Sequence, residues 1–174
     1  MTDLFYCGSA DINGDYRFTL KRVWDDGKPN ICFLMLNPST ANGDADDPTI
    51  RSCVRISKHN GFGSLTIVNL FAFITSDPKK LLENPLAVGY PQNDRAIREA
   101  VISANYKIVC AWGNFPMARK RATLLLLGML RGLNLYCLGT NKNGSPKHPL
   151  YAKSDSPLLE YDCRDYLIGK LRAL

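Results

Sequence analysis

The chain has 174 residues, of which 45% are hydrophobic, and a formal net charge of +6. That length suffices for one domain, 1–174, with a real core, and that composition excludes a disordered chain. No apolar run reaches the ~18 residues a membrane helix needs, and Met1-Thr2-Asp3 lacks a basic-then-apolar leader, so a soluble cytoplasmic protein is expected.

The first segments, 4–8 and 16–24, read as short strands. Tyr16, Phe18 and Leu20 alternate with Arg17, Thr19 and Lys21, the period of a half-buried strand with the polar set facing outward. Asn13-Gly14 turns the chain between them, so an N-terminal hairpin or pair of edge strands is expected. Ile31 to Leu36 is an apolar run that ends in Asn37-Pro38-Ser39-Thr40, a buried strand stopped by a proline turn. Asp47-Pro48 has the cap and first-turn chemistry of a helix that ends at Asn60-Gly61.

Ser64 to Leu70 is a second buried strand, followed by Phe71-Ala72-Phe73. Asp77-Pro78 opens a short helix, and Asn93-Asp94 reads as the cap of another with Ala96, Ile97, Ala100, Val101 and Ala104 on its apolar face. Tyr106 to Ala111 forms a third strand, stopped by Trp112-Gly113-Asn114. Pro116 begins a helix running to about Gly132, with Met117, Leu124, Leu125 and Leu127 toward the core. Leu133 to Leu138 is a fourth strand. Gly139 to Tyr151 is a polar, basic loop, and Leu158 to Leu171 is an amphipathic end segment.

Strands alternating with helices imply an α/β fold: a three-layer αβα domain around a four-stranded, mostly parallel sheet, with the N-terminal strands added. Ligands of such sheets bind beyond the carboxyl ends of the strands. Asn37-Pro38-Ser39-Thr40, Asn69-Leu70-Phe71, Trp112-Gly113-Asn114 and Lys147-His148-Pro149 all follow strands, so all four converge on one rim.

Charge is unevenly spread. Between Glu99 and Asp155 there is no acidic residue, while Lys107, Arg119, Lys120, Arg121, Arg131, Lys142, Lys147 and Lys153 fall in that span. Such a block suits phosphates, or it is balanced in space by acids of the first half. Arg51 and Arg55, one helical turn apart, either clamp a phosphate or pair with Asp46 and Asp47, and the pairing is favoured. Six cysteines without a C-x-x-C pair and only two histidines, His59 and His148, argue for reduced core thiols and against a metal site. No G-x-x-x-x-G-K, G-x-G-x-x-G or G-x-S-x-G pattern is present.

In order and in placement, Asn37-Pro38, Asn69, Ala111-Trp112-Gly113-Asn114 and His148-Pro149 resemble the motifs of uracil-DNA glycosylases over roughly residues 31–152. The chain also resembles, more closely, an uncharacterised bacterial and phage family with N-P-S-T-A, D-P-T-x-R, N-L-F-A, W-G and H-P-L-Y patterns. The first resemblance implies a DNA glycosylase without cofactor or metal that acts as a monomer on single- or double-stranded DNA.

By that resemblance Asn37 positions the attacking water and His148 donates to the departing base. Asn69 reads a pyrimidine edge, Phe71 or Phe73 stacks on the base, and Arg119, Lys120, Lys142 and Lys147 hold phosphates. Leu150 or Tyr151 wedges into the duplex. Uracil-specific members carry aspartate at position 37 and tyrosine two residues on, where this chain has Asn37 and Ser39. The amide implies slow turnover unless Asp46 or Asp47 assists, and the serine implies room for a bulky 5-substituted pyrimidine. A role in phage DNA modification or anti-phage defence would fit. The alternatives are a non-catalytic nucleic-acid binder on the same scaffold and a hydrolase of free modified nucleosides or nucleotides.

Overall fold

The computed structural model describes residues 7–105 and 107–169. The start of the first expected strand (residues 4–6), Tyr106, and the last expected residues of the end segment (170 and 171) lie outside them, as does Met1-Thr2-Asp3. No described helix is long and apolar enough to cross a membrane.

The fold is mixed α/β, built on one seven-stranded sheet rather than four strands. The strands are β1 (Cys7–Asn13), β2 (Tyr16–Val23), β3 (Asn30–Met35), β4 (Ser64–Asn69), β5 (Ile108–Cys110), β6 (Leu135–Cys137) and β7 (Leu159–Glu160), in the spatial order β1-β2-β4-β3-β5-β6-β7. Three pairings, β4–β3, β3–β5 and β5–β6, are parallel; β1–β2, β2–β4 and β6–β7 are antiparallel. The expected N-terminal hairpin forms one edge of the sheet: β1 is outermost, and Leu20 of β2 pairs with Ile67 and extends the sheet from β4. At the other edge, the short β7 pairs with β6, and the end segment then continues as α5 (Arg164–Ile168), so that it divides into a strand and a short helix.

Side chains alternate across the sheet, and two apolar clusters follow. Ile31, Phe33, Met35, Leu65, Ile67 and Val109 pack with Ile50, Cys53, Val54 and Ile56 of α1 (Pro48–His59). Cys32, Leu34, Val68, Ile108 and Cys110 pack on the opposite face with α3 (Gln92–Ser103) and α4 (Ala118–Leu127); Leu81 of the short α2 (Lys80–Glu83) joins them. Burial on both faces is why these strands read as unbroken apolar runs. The described cysteines are all free thiols, and burial pushes Cys32 up to about 12.

Two helices differ from expectation. In α4, Ala118, Ala122, Leu125 and Leu126 share the buried face, while Leu124 and Leu127 fall outside that stripe and face solvent; the helix stops at Gly128. In α3, Asn93 is no cap. It sits inside the first turn, fully buried, and its Nδ2 donates to the carbonyls of Asn69 (3.0 Å) and Leu70 (3.3 Å). Those carbonyls end β4 and need partners, so Asn93 fixes how the chain leaves that strand.

Candidate functional site

The rim is built by backbone first. Leu70 N–H donates to Met35 O (2.8 Å), Phe71 N–H to Leu36 O (3.0 Å) and Thr75 N–H to Pro38 O (3.0 Å), so the turn after β3 runs beside the segment after β4. Asn37 is locked into that pair: its Nδ2 donates to Pro38 O (2.8 Å) and to Thr75 O (2.7 Å). With both amide hydrogens used, its Oδ1 is left as an acceptor.

α1 supplies the next wall. Pro48 occupies its first turn and the Asp47 carboxylate caps it, accepting from Ile50 N–H at 2.9 Å. Ser52 Oγ donates to Pro149 O at 2.9 Å, tying α1 to a 3₁₀ turn at Pro149–Tyr151. His148 caps that turn: its Nδ1 accepts the Leu150 N–H at 3.3 Å. A ring nitrogen that accepts carries no proton, so the neutral ring holds its hydrogen on Nε2, as a donor. Burial lowers the His148 pKa, partly countered by Asp47, which favours the neutral ring. Gly113, at φ +78°, lets the rings come close: a Cβ there would stand 3.2 Å from Phe115 and 3.3 Å from His148.

These pieces enclose a cavity of about 110 Å³ lined by Arg17, Asn37, Ser39, Asp47, Phe115 and His148 among others. A wider groove of about 380 Å³ adjoins it across Phe115 and His148 and carries Asn114, Asn141, Lys147 and Tyr151. The loop around that groove is constructed, not loose. Asn141 N–H donates to Ser145 O (2.8 Å), Lys147 N–H to Gly139 O (2.9 Å), and Tyr161 OH to Gly144 O (2.9 Å).

The structure thus brings Asn37, Ser39 and His148 together, with Lys147 and Tyr151 beside them; Tyr151 and Leu150 are exposed at the lip. It does not bring the aromatic residues after β4 to the cavity. Phe71 lies in the core on the α3 and α4 face, and Phe73 packs edge-on against Tyr16 at 6.0 Å; the aromatic wall of the cavity is Phe115. Asn69 is 1% exposed, with neither amide atom hydrogen-bonded, and does not line the cavity. It pairs in register with Met35, which does.

The basic block divides. Arg119 donates to Tyr166 O and stacks over that ring at 5.0 Å, Arg121 pairs with Asp94, and Lys107 Nζ donates to Tyr136 OH at 2.8 Å. Lys120, Arg131, Lys142, Lys147 and Lys153 are exposed. Asp46 and Asp47 do not pair with Arg51 or Arg55. Asp46 takes Arg22 Nε at 2.8 Å, Asp47 caps α1, and Arg51 donates to the Asp46 carbonyl.

Arg17 was hidden from sequence alternation. The β1–β2 ladder slips between Asp11 and Ile12, so that Asp11 faces Thr19 but Ile12 faces Arg17. The extra residue, Phe18, turns to the α3 face with Ala72 and Ala96, while Arg17 joins Leu20 and Arg22 on the α1 face. Bulges re-aim side chains in this way. Because β2 runs antiparallel to β4, its first residues lie at the same rim as the ends of β3 and β4.

The strand ends of this α/β sheet thus carry a polar cavity with the Asn37 amide, the Asp47 carboxylate, the Arg17 guanidinium and the His148 ring. Residues 17–150 match a family described as "Protein of unknown function (DUF1643)", and the chain belongs to that family. No curated protein and no solved structure matches it.

Proposed function

We propose that this protein is a DNA glycosylase that hydrolyses the N-glycosidic bond of a damaged or modified pyrimidine, with a three-layer architecture of the uracil-DNA glycosylase type. The observation that carries this reading is the meeting of Asn37 and His148 in one cavity, each held by backbone partners that leave an acceptor on one and a donor on the other.

The reaction adds a water oxygen to C1′ of the sugar while the C1′–N bond breaks and its electron pair leaves with the base. Positive charge builds on the sugar and negative charge on the base oxygens. Asn37 Oδ1 holds the water. Asp47, the carboxylate at the cavity, takes the water's proton and faces the cationic sugar. His148 Nε2–H donates to a base oxygen, and the base finally takes up a proton from solvent. Phe115 stacks where Phe71 and Phe73 cannot. Lys142 and Lys147 contact the phosphates of the strand, and Leu150 or Tyr151 fills the space of the extruded nucleotide. Ser39 leaves room for a substituent on carbon 5.

The test is incubation with duplex and single-stranded DNA bearing uracil, mismatched thymine or 5-substituted cytosines, followed by alkali. Strand breaks at one modified position are expected, and Asn37→Ala and His148→Ala each reduce them strongly. DNA binding without breaks on any substrate would leave a non-catalytic binder, and release from free nucleosides alone would make the protein a nucleoside hydrolase.

A further inference from the structure

Arg17 is the most unusual charge in the molecule. It is 2% exposed, yet among the described residues no carboxylate lies within 4.0 Å of its guanidinium. Its neighbour on β2, Arg22, is equally buried but is satisfied by the Asp46 carboxylate at 2.8 Å and by the carbonyls of Asn42 (2.6 Å) and Lys21 (2.8 Å). Arg17 has the Ala41 carbonyl on Nη1, and its Nε has no partner. Burying a cation without a counter-charge is costly, and the bulge places this one on the wall of the cavity.

The surroundings of the cavity carry the same sign. It lies at the first turn of the twelve-residue α1, where Thr49 contributes to the lining and the helix dipole is positive. Ser39, Thr49, Thr75 and Ser76 add hydroxyl groups. Among the described residues the carboxylate that lines it is Asp47, which has an oxygen committed to the Ile50 N–H. Arg17 and Asp47 thus stand in one small space as opposite charges that do not pair with each other.

We propose that Arg17 is the anion receptor of the cavity: the group that enters it bears negative charge on oxygen, and the guanidinium donates to that oxygen. The inference deepens the glycosylase reading and rests on it for the identity of the anion. In that reaction the developing anion is the departing pyrimidine, so Arg17 acts on the leaving base together with His148, while Asp47 answers the cationic sugar. A charge-separating bond cleavage needs a cation and an anion held apart, and this pair is held apart. Burial lowers the Arg17 pKa to about 10, so the group remains a cation at neutral pH.

The experiment is direct binding, read by titration calorimetry at pH 8 with three probes: 5-nitrouracil, whose ring is then ionised, neutral uracil, and inorganic phosphate. Wild-type protein is expected to bind 5-nitrouracil at least tenfold more tightly than uracil. Arg17→Gln is expected to abolish that preference, and Arg17→Lys, which keeps the charge without the planar fork, to retain part of it. Tighter binding of phosphate than of 5-nitrouracil, lost in Arg17→Gln, would keep the anion receptor and assign it to a phosphate instead of a base. If Arg17→Gln does not fold, Arg17→Lys and the wild-type preference decide. Equal binding of ionised and neutral pyrimidine with no phosphate binding, or an anion preference unchanged in the folded Arg17 variants, would overturn the proposal. The two readings fail separately: base release from DNA without anion preference removes Arg17 alone, whereas anion preference without base release removes the glycosylase and leaves the receptor.

Discussion

The side-chain nitrogen of Asn37 donates to the carbonyl of Thr75 at 2.7 Å, joining the turn after one parallel strand to the segment after its neighbour. The same nitrogen donates to Pro38 O at 2.8 Å, so the residue at the candidate water site is also a structural clasp. Under the proposed function, introducing aspartate at this position would therefore not help. Asn37→Asp places a carboxylate against two carbonyls that have lost their donor. A stability loss of about 1–3 kcal/mol in urea denaturation is expected, with no gain in strand breakage. A faster, equally stable variant would show that the clasp is dispensable.

His148 gives a pH signature with a definite sign. Its folded pKa lies below the unfolded value of 6.5, chiefly through burial. Between the two values the unfolded chain binds a proton that the folded chain does not, so stability falls as pH drops below about 6.5 and levels out below the folded pKa. Protonation also puts hydrogen on Nδ1, which then cannot accept from Leu150 N–H. Denaturation at pH 7.5 and pH 5 should show a smaller acid loss in His148→Asn, since asparagine can cap the turn without titrating. Strand breakage should plateau above pH 6.5 and decline toward acid. An acid-stimulated activity would mean that the working form is the cation.

Much of this site is written in the chain, and the part that is not has physical causes. Ile31–Leu36 and Ser64–Leu70 are legible because both faces of the sheet are covered, and Asp47-Pro48 is legible because its cap chemistry is local. The meeting of Asn37 with His148 follows from four strands sharing one polarity. Arg17 is invisible because one extra residue in β2 reverses its face, and simple alternation assigns it to solvent. Asn93 reads as a cap because asparagine caps helices, but its side chain is claimed by the end of β4. Phe71 and Phe73 look like a stacking wall by sequence position. The wall instead comes from Phe115, admitted by a glycine two residues earlier.

Arg22 and Asp46 test how the loop before α1 is held. Arg22 is fully buried and anchors that loop through the Asp46 carboxylate and the Asn42 carbonyl. Asp46→Ala removes a carboxylate that the buried guanidinium holds at 2.8 Å, and a loss of about 3–5 kcal/mol is expected in urea denaturation. Asp46 does not line the cavity, so the folded fraction should keep the DNA affinity that the proposed function predicts. A loss below about 1 kcal/mol would mean that the other partners of Arg22 suffice to hold it.

Asp47 separates activity from stability more cleanly. Asparagine caps helices about as well as aspartate, so Asp47→Asn should change stability by no more than about 0.5 kcal/mol. On the proposed mechanism it removes the carboxylate that answers the sugar cation and accepts the water's proton, so base release should fall about a hundred- to ten-thousand-fold. Asp47 also raises the His148 pKa, so the acid limb of any residual activity should move to lower pH. An unchanged rate would remove Asp47 from the chemistry and return the burden to Asn37.

Ser39 is the position that should set substrate size. It is half-buried and lines the cavity beside Asn37 and His148. A tyrosine there would occupy space that a substituent on carbon 5 needs and would reach across a cavity of only about 110 Å³. Ser39→Tyr is therefore expected to depress release of 5-substituted pyrimidines by at least tenfold while sparing uracil, so that the ratio of the two rates inverts. The comparison is internal to one variant, so a general loss of stability cannot mimic it. A uniform fall on all bases would mean that the substituent points elsewhere, toward the groove of Asn114 and Asn141, and Asn141→Trp would then be the variant that discriminates.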